Sequence, residues 1–432
     1  MSDPAPLDQD RTPIAIGDAA HVVIVGAGFG GLACAKRLGD SRHRVTVVDQ
    51  KNYHLFVPLL YQVATAALSP ADIAAPIRQV LAPYANIDTV LGEVVGVDAT
   101  ARQVKLRDGG HIGYDVLILA TGSMYHYFGM EAWAGHAPGL KTIDNARTLR
   151  ARLLEAFEAA EIEADPARRA KLLTMVVIGG GPTGVEMAGA VAELARYTLA
   201  RDFRRIDPRS ARVILVEAGP RLLTAFPDSL SAYTLQALTE IGVEVRLNTK
   251  VESIEADAVT AGGERIACSV IVWGAGIRAA EGAAWLGAEG DRLGRISVGG
   301  DLAVGGRDRI YALGDLSLLQ QDGKPLPALA QVAKQQGQWL AGQLRRRSTD
   351  RLKAGPLKLG RFRYASRGDT AVIGRSSAVF VIGPWRLKKG LAWVLWGFVH
   401  IYLLIGFDRR LSVAMQWVWR YLTSERGARL ID

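Results

Sequence analysis

His21-Val-Val-Ile-Val-Gly-Ala-Gly-Phe-Gly-Gly31 is the stretch that decides the fold. Its first five residues are mostly apolar and β-branched and read as a buried strand. Gly26, Gly28 and Gly31 then give G-x-G-x-x-G at the head of an Ala/Leu-rich helix running to about Leu38. The first glycine permits a tight turn, and the second lets a pyrophosphate approach the backbone. The third lets helix and strand pack closely. The helix N-terminus turns its unpaired N–H groups and partial positive charge toward the phosphates. Arg44–Asp49 reads as the next strand, and Asp49 closes it 23 residues after Gly26. That is close to the roughly 20 residues expected for an acid that binds a ribose hydroxyl.

The pattern occurs again downstream. Leu172–Ile178 is an apolar run followed by Gly179-Gly-Gly-Pro-Thr-Gly-Val-Glu186 and a helix to about Leu199. Gly179, Gly181 and Gly184 repeat the glycine spacing, and Glu217 ends the strand Arg212–Glu217. Two such units predict a duplicated dinucleotide-binding architecture. Glu217 lies 38 residues after Gly179, so the helix is extended or an insertion such as Tyr197–Ser210 follows it. A carboxylate there bonds a 2′-hydroxyl and repels a 2′-phosphate, which favours NADH over NADPH, with Arg221 nearby as a counter-signal. Glu186 is placed inside the first helical turn, where the helix dipole favours a carboxylate. A helical connector, Asn145 to about Ala164, separates the two units.

The chain has 432 residues, more than one hydrophobic core usually serves, so two or three domains are expected. Its two cysteines, Cys34 and Cys268, form no C-x-x-C pair, which excludes a disulfide framework or zinc site, and no metal is expected. Residues 1–20 are polar with no signal-peptide pattern and read as a disordered lead-in. The net charge of +9 points to a polyanion, an anionic lipid or bound nucleotide phosphates.

The glycine motifs do not say which site holds which cofactor. The wider order of parts does. A strand Val116–Leu119 ends in Ala120-Thr-Gly122, a second nucleotide unit is inserted, and a strand ends in Tyr311-Ala-Leu-Gly-Asp315. This arrangement resembles the two-dinucleotide-binding-domain flavoproteins of glutathione-reductase-like fold. Four further segments narrow the likeness: Asn52-Tyr-His-Leu-Phe-Val-Pro-Leu-Leu-Tyr-Gln-Val-Ala-Thr-Ala66, Gly179–Glu186, Trp273-Gly-Ala-Gly276 and Ala330-Gln-Val-Ala-Lys-Gln-Gln336. Together they resemble the type II NADH:quinone oxidoreductases over nearly the whole chain after residue 20. The resemblance implies FAD at the first site, held by Gly26, Gly28, Gly31, Asp49, Val94, Thr121, Gly122, Gly314, Asp315, Ala330 and Gln331. It implies NADH at the second, held by Gly179, Gly181, Gly184, Glu186, Glu217, Gly274, Ala275 and Gly276. Glu186, Gln331 and Gln335 are the implied catalytic residues, Glu186 at the nicotinamide and the two glutamines beside a quinone. Gln331 and Gln335 are four apart and share a helix face, where amides can donate to a quinone carbonyl. Disulfide and sulfide:quinone reductases share the scaffold but need a redox-active cysteine pair, which this chain lacks.

The expected fold class is α/β: two Rossmann-like dinucleotide-binding domains plus a C-terminal amphipathic helical segment that anchors to a membrane. The expected boundaries are a discontinuous FAD domain, 21–146 and 286–383, an NADH domain, 147–285, and C-terminal helices, 384–432. Five of the nine Trp lie in that last segment, with eight Lys/Arg against three Asp/Glu. Indole rings and a cationic rim favour a membrane interface. The uncharged run Leu391–Phe407 is at the lower limit for a bilayer span, so a monotopic anchor, a single span and a buried dimer helix pair are all open. Lys389 is a further candidate, either as a cation near the quinone or as a lysine snorkelling to the membrane surface. The implied activity is non-proton-pumping oxidation of NADH with two-electron reduction of ubiquinone or menaquinone through FAD. It would run at the cytoplasmic face of the cell membrane, in a lipid-attached homodimer that binds no nucleic acid. The alternative is a soluble ferredoxin reductase or diaphorase whose C-terminus serves dimerisation.

Overall fold

The computed structural model describes residues 19–288, 290–353, 357–423 and 426–431. The expected lead-in therefore lies, up to residue 18, outside the described residues. Contacts divide the chain into two units. The first comprises the residues up to Asn52, Ile77–Gly122 and Ala280–Tyr364, and the second Tyr53–Pro76, Ser123–Ala279 and Ala365 onward. This grouping differs from the expected boundaries. Residues 53–76, 123–146 and 365–383 join the second unit, 280–285 join the first, and 384–432 forms no unit of its own.

In the first unit, a five-stranded sheet runs in the order Ile310–Ala312, Val116–Leu119, His21–Val25, Arg44–Asp49, Ile87–Leu91. Every pairing is parallel. A strand buried on both faces needs a continuous apolar run, and Val116–Leu119 is buried at all four positions. The helix Phe29–Leu38 packs on Ala330–Arg345 at a crossing built from small residues. A Cβ on Gly337 would overlap the Gly30 carbonyl, and one on Gly30 would stand 3.2 Å from the Ala333 oxygen. Cys34 lies in that crossing, fully buried, and burial pushes its thiol up to about 12. It is a packing residue. An antiparallel sheet of Val94–Asp98, Gln103–Leu106 and His111–Gly113 completes this unit.

The second unit repeats the plan. Its four-stranded parallel sheet has the order Val243–Arg246, Arg212–Val216, Thr174–Ile178, Val270–Trp273. Thr174–Ile178 is buried throughout. The connector helix is Ile143–Ile162, closed by a capping box between Thr142 and Asn145. The helix after the second glycine turn is Pro182–Glu193, continued by a π-helical turn at Leu194–Thr198 and by irregular chain to Arg212. That insertion accounts for the long spacing to Glu217.

The C-terminal part is two helices, Lys389–Leu403 and Phe407–Thr423. The uncharged run Leu391–Phe407 is therefore not one element. It breaks after Leu403, where Leu404 is extended, and Gly406, whose φ of +94° suits glycine, turns the chain into the second helix. Fifteen helical residues reach about 22 Å, short of a hydrocarbon core of about 30 Å. No helix among the described residues is long and apolar enough to cross a membrane, which removes the single span.

Candidate functional site

Both glycine turns have the same construction. Gly26 has φ +99° and donates its N–H to the Val48 carbonyl at 2.8 Å. Gly179 has φ +108° and donates to the Val216 carbonyl, also at 2.8 Å. A Cβ on Gly26 would strike the Ala120 carbonyl, and one on Gly179 would stand 2.8 Å from the Cα of Ala275. These contacts explain why Ala120-Thr121-Gly122 and Gly274-Ala275-Gly276 accompany the two motifs. Each follows the strand paired directly beside the one that carries its glycine turn. A Cβ on Gly31 or Gly184 would overlap the carbonyl of Gly26 or Gly179, so each third glycine lets helix and turn touch.

The middle glycines behave differently. Nothing lies within 4 Å of where a Cβ would stand on Gly28 or Gly181. Each borders an open space at a helix N-terminus, as a pyrophosphate cradle requires. Thr121 Oγ1 is buried and has no hydrogen-bond partner among the described residues, so it holds hydrogen-bonding capacity for a bound group. The residues present thus fit a dinucleotide at each turn.

The two strand-end acids are also equivalent. Asp49 accepts from Ala27 N at 2.6 Å and Lys51 N at 2.8 Å. Glu217 accepts from Gly180 N at 2.5 Å and Gly219 N at 2.6 Å. Each carboxylate orients the loop beside its glycine turn and keeps lone pairs to accept a ribose hydroxyl. Burial raises the Asp49 carboxyl above its ordinary value, against the pull of those two N–H groups. Arg221 is committed within its own loop, donating to the Phe226 and Thr224 carbonyls and to Asp228.

Gly314 and Asp315 form a single helical turn after the strand Ile310–Ala312. The helix that begins at Ala330 holds that turn. Gln336 is buried, and its Oε1 accepts from Gly314 N at 2.6 Å. The sequence marked Gln336 only as part of a matching segment. A Gln four residues on from Val332, in the apolar row of the helix, was the signal that it is buried and bonded. Gln331 and Gln335 lie one turn apart on the same helix, both half-buried. Val94 opens the separate antiparallel sheet rather than the sheet that carries the glycine turn.

Glu186 corrects its expected placement. It is the fifth residue of Pro182–Glu193, past the first turn, where the dipole effect has faded. It lines a narrow cleft of about 50 Å³ within the second unit, together with Tyr61, Trp393, Trp396, Trp417 and Arg375. Its one hydrogen bond is a long one, accepted from Val372 N at 3.4 Å. Desolvation pushes the carboxyl up to about 8, so it is largely protonated at neutral pH. Lys389 is exposed at the start of its helix with φ +64° and is not among the residues lining the cleft.

Two cradles, each with its own acid, on two parallel sheets define the class: an oxidoreductase scaffold for two dinucleotides. The family model described as pyridine nucleotide-disulphide oxidoreductase matches residues 20–337. Two relatives from Mycobacterium tuberculosis are similar over nearly full length. The type II NADH:quinone oxidoreductase Ndh is 38% identical, over 94% of this chain and 89% of the relative. The type II NADH:quinone oxidoreductase NdhA is 39% identical, over 96% and 90%. The solved structure of NDH2 from Plasmodium falciparum in complex with NADH superposes with a TM-score of 0.84 at 19% identity, covering 94% of this chain and 99% of that one. The chain belongs to the type II NADH:quinone oxidoreductase family.

Proposed function

We propose that this protein oxidises NADH and reduces a membrane quinone by two electrons, with FAD bound at the first glycine turn. The observation that carries the reading is the matched pair of cradles at Gly28 and Gly181, each with a clasped strand-end acid. When bound, FAD supplies the redox relay that lets a two-electron donor and a quinone react in turn. The FAD set is Gly26, Gly28, Gly31, Asp49, Val94, Thr121, Gly122, Gly314, Asp315, Ala330 and Gln331. Gln336 orients this set from behind through Gly314. The NADH set is Gly179, Gly181, Gly184, Glu186, Glu217, Gly274, Ala275 and Gly276. Glu217 accepts a ribose 2′-hydroxyl and repels a 2′-phosphate, and Arg221 is occupied elsewhere, so NADH is preferred over NADPH. Glu186, as a neutral acid, can hold a proton near the reacting groups without an unpaired buried charge. Gln331 and Gln335 are assigned to donate to the quinone oxygens.

The attachment to lipid rests on the C-terminal helices. Leu391, Val394, Phe398 and Tyr402 recur at helical spacing and are exposed, Phe398 at 69%. Phe407, Leu411, Met415, Val418 and Leu422 do the same on the second helix. A row of exposed apolar side chains on each of two helices, with the exposed Lys388 and Lys389 at the start of the first, suits a monotopic anchor in an anionic leaflet on the cytoplasmic side. The enzyme is thus a peripheral membrane protein, and a homodimer is part of the same reading. Anaerobic mixing tests the redox reading: NADH should bleach the bound flavin, and menadione should restore its absorbance. A purified chain with no flavin, or a flavin that NADH leaves oxidised, would sink it.

A further inference from the structure

The cleft beside Glu186 has a wall whose hydrogen bonds have a definite direction. Gln62 is buried on the short helix Leu60–Ala64. Its Oε1 accepts from Trp417 Nε1 at 2.8 Å and from Arg420 Nη1 at 3.4 Å. Indole and guanidinium can only donate, so the amide oxygen must face them. The amide nitrogen then has to face the other way, and it donates to the Tyr61 hydroxyl at 2.9 Å. Tyr61 Oη is therefore the acceptor in that bond. Its own hydrogen is left to point elsewhere, and among the described residues no acceptor takes it. Tyr61 lines the cleft, and so do Gln62 and Trp417.

Two neighbours give the same cleft further donors. Trp396 Nε1 is buried with no partner among the described residues, and Trp396 stacks on Trp417 at 4.9 Å between centroids. Glu186 adds the proton it carries near neutral pH. The Tyr61 phenol is held well above its ordinary value by burial and by the nearby Glu186, so it keeps its proton. The cleft is walled by Trp393, Trp396 and Trp417, whose flat faces suit a planar ring bearing carbonyl oxygens.

We propose that Tyr61 donates a hydrogen bond to a carbonyl oxygen of the quinone acceptor, and that Gln62, Trp417 and Arg420 are positioning residues that aim it. This rests on the quinone reading above. It gives the C-terminal helix Phe407–Thr423 a second task. Besides its exposed apolar row, it fixes the direction of a hydrogen-bond chain that ends in the cleft. A bond to the acceptor oxygen strengthens as negative charge gathers there on reduction.

The test uses the full-length, flavin-loaded protein, menadione as the quinone, and separate measurement of the two half-reactions. Tyr61→Phe keeps the ring and removes the donor. Gln62→Glu keeps the side-chain shape and the bonds from Trp417 and Arg420, yet offers Tyr61 an acceptor, so the phenol hydrogen turns away from the cleft. Each should raise the KM for menadione about five- to tenfold, the scale of one lost hydrogen bond, and leave flavin reduction by NADH unchanged. Trp417→Phe keeps the stack on Trp396 and should raise KM by less. Combined with Tyr61→Phe it should add nothing, because the relay acts only through the phenol. Quenching of the cleft tryptophans by menadione should weaken in parallel in the oxidised, NADH-free protein. Three results would overturn the proposal: an unchanged KM in Tyr61→Phe and Gln62→Glu, multiplying effects in the double variant, or a loss confined to the NADH half-reaction. A wild-type protein that cannot reduce menadione at all would instead overturn the quinone reading itself.

Discussion

Replacing Glu186 by Gln should remove a pH-dependent instability from the second unit. The carboxyl is desolvated in the cleft, has among the described residues one long hydrogen bond and no paired cation, and its pKa is pushed up to about 8. In the unfolded chain it would titrate near the ordinary Glu value, about 4.3. The folded state therefore binds more protons than the unfolded state across that window, and stability falls as pH rises. Below the unfolded value both states are protonated and nothing is lost. Above about pH 8 the folded protein must bury the charge, at a cost of about 3–5 kcal/mol, the lower figure allowing for water in the cleft. Glu186→Gln keeps the volume and cannot ionise. Thermal unfolding of both proteins, at one scan rate and several pH values from 5 to 9, checks this. At pH 5, just above the unfolded value, about 1 kcal/mol is already lost, so the variant should melt only about 2 °C higher. At pH 9 the variant should melt higher by roughly 6–10 °C, taking roughly 2 °C per kcal/mol. Other titrating groups are common to both proteins and cancel in the difference. Parallel curves would show that Glu186 is solvated or paired in solution, and the neutral-acid role would fall with them.

Three other outcomes are expected. Gly31→Ala places a Cβ against the Gly26 carbonyl, so helix and turn must separate. The purified protein should carry little flavin by absorbance, and full loading would contradict the cradle. Glu217→Ser should raise the efficiency with NADPH relative to NADH by about tenfold or more, by removing the repulsion of a 2′-phosphate. An unchanged cofactor ratio would remove Glu217 from the ribose site. Leu391→Ser with Phe398→Ser removes two exposed apolar side chains worth about 1.5–3 kcal/mol each on burial. Binding to anionic vesicles should fall at least a hundredfold with turnover on menadione retained, and undiminished binding would refute the lipid face.

Some of this was plain in the chain and some was not. The runs Val22–Val25 and Met175–Ile178 stood out because strand residues buried on both faces must be apolar. The glycine turns stood out because a positive φ and a close carbonyl admit no side chain. Other features carried no local signal. The Glu186 proton depends on what desolvates it, and counting residues along the helix wrongly put it in the first turn. The uncharged run Leu391–Phe407 has a span's composition, yet the chain leaves the helix at Leu404. Gln62 is an unremarkable polar residue until Trp417, 355 positions away, gives its amide a direction.

The sequence by itself determined two βαβ units with their glycine turns, the strand-end acids Asp49 and Glu217, and a tryptophan-rich, basic C-terminus, because each follows from short-range periodicity, spacing and composition. Only the tertiary structure decided what those parts do to one another within each unit. It made Glu217 equivalent to Asp49 despite unequal spacing, set Gln336 behind Gly314, and enclosed Glu186 in a cleft walled by tryptophans. Desolvation and the direction of a hydrogen bond belong to a place in three dimensions, and residues distant in the chain create that place.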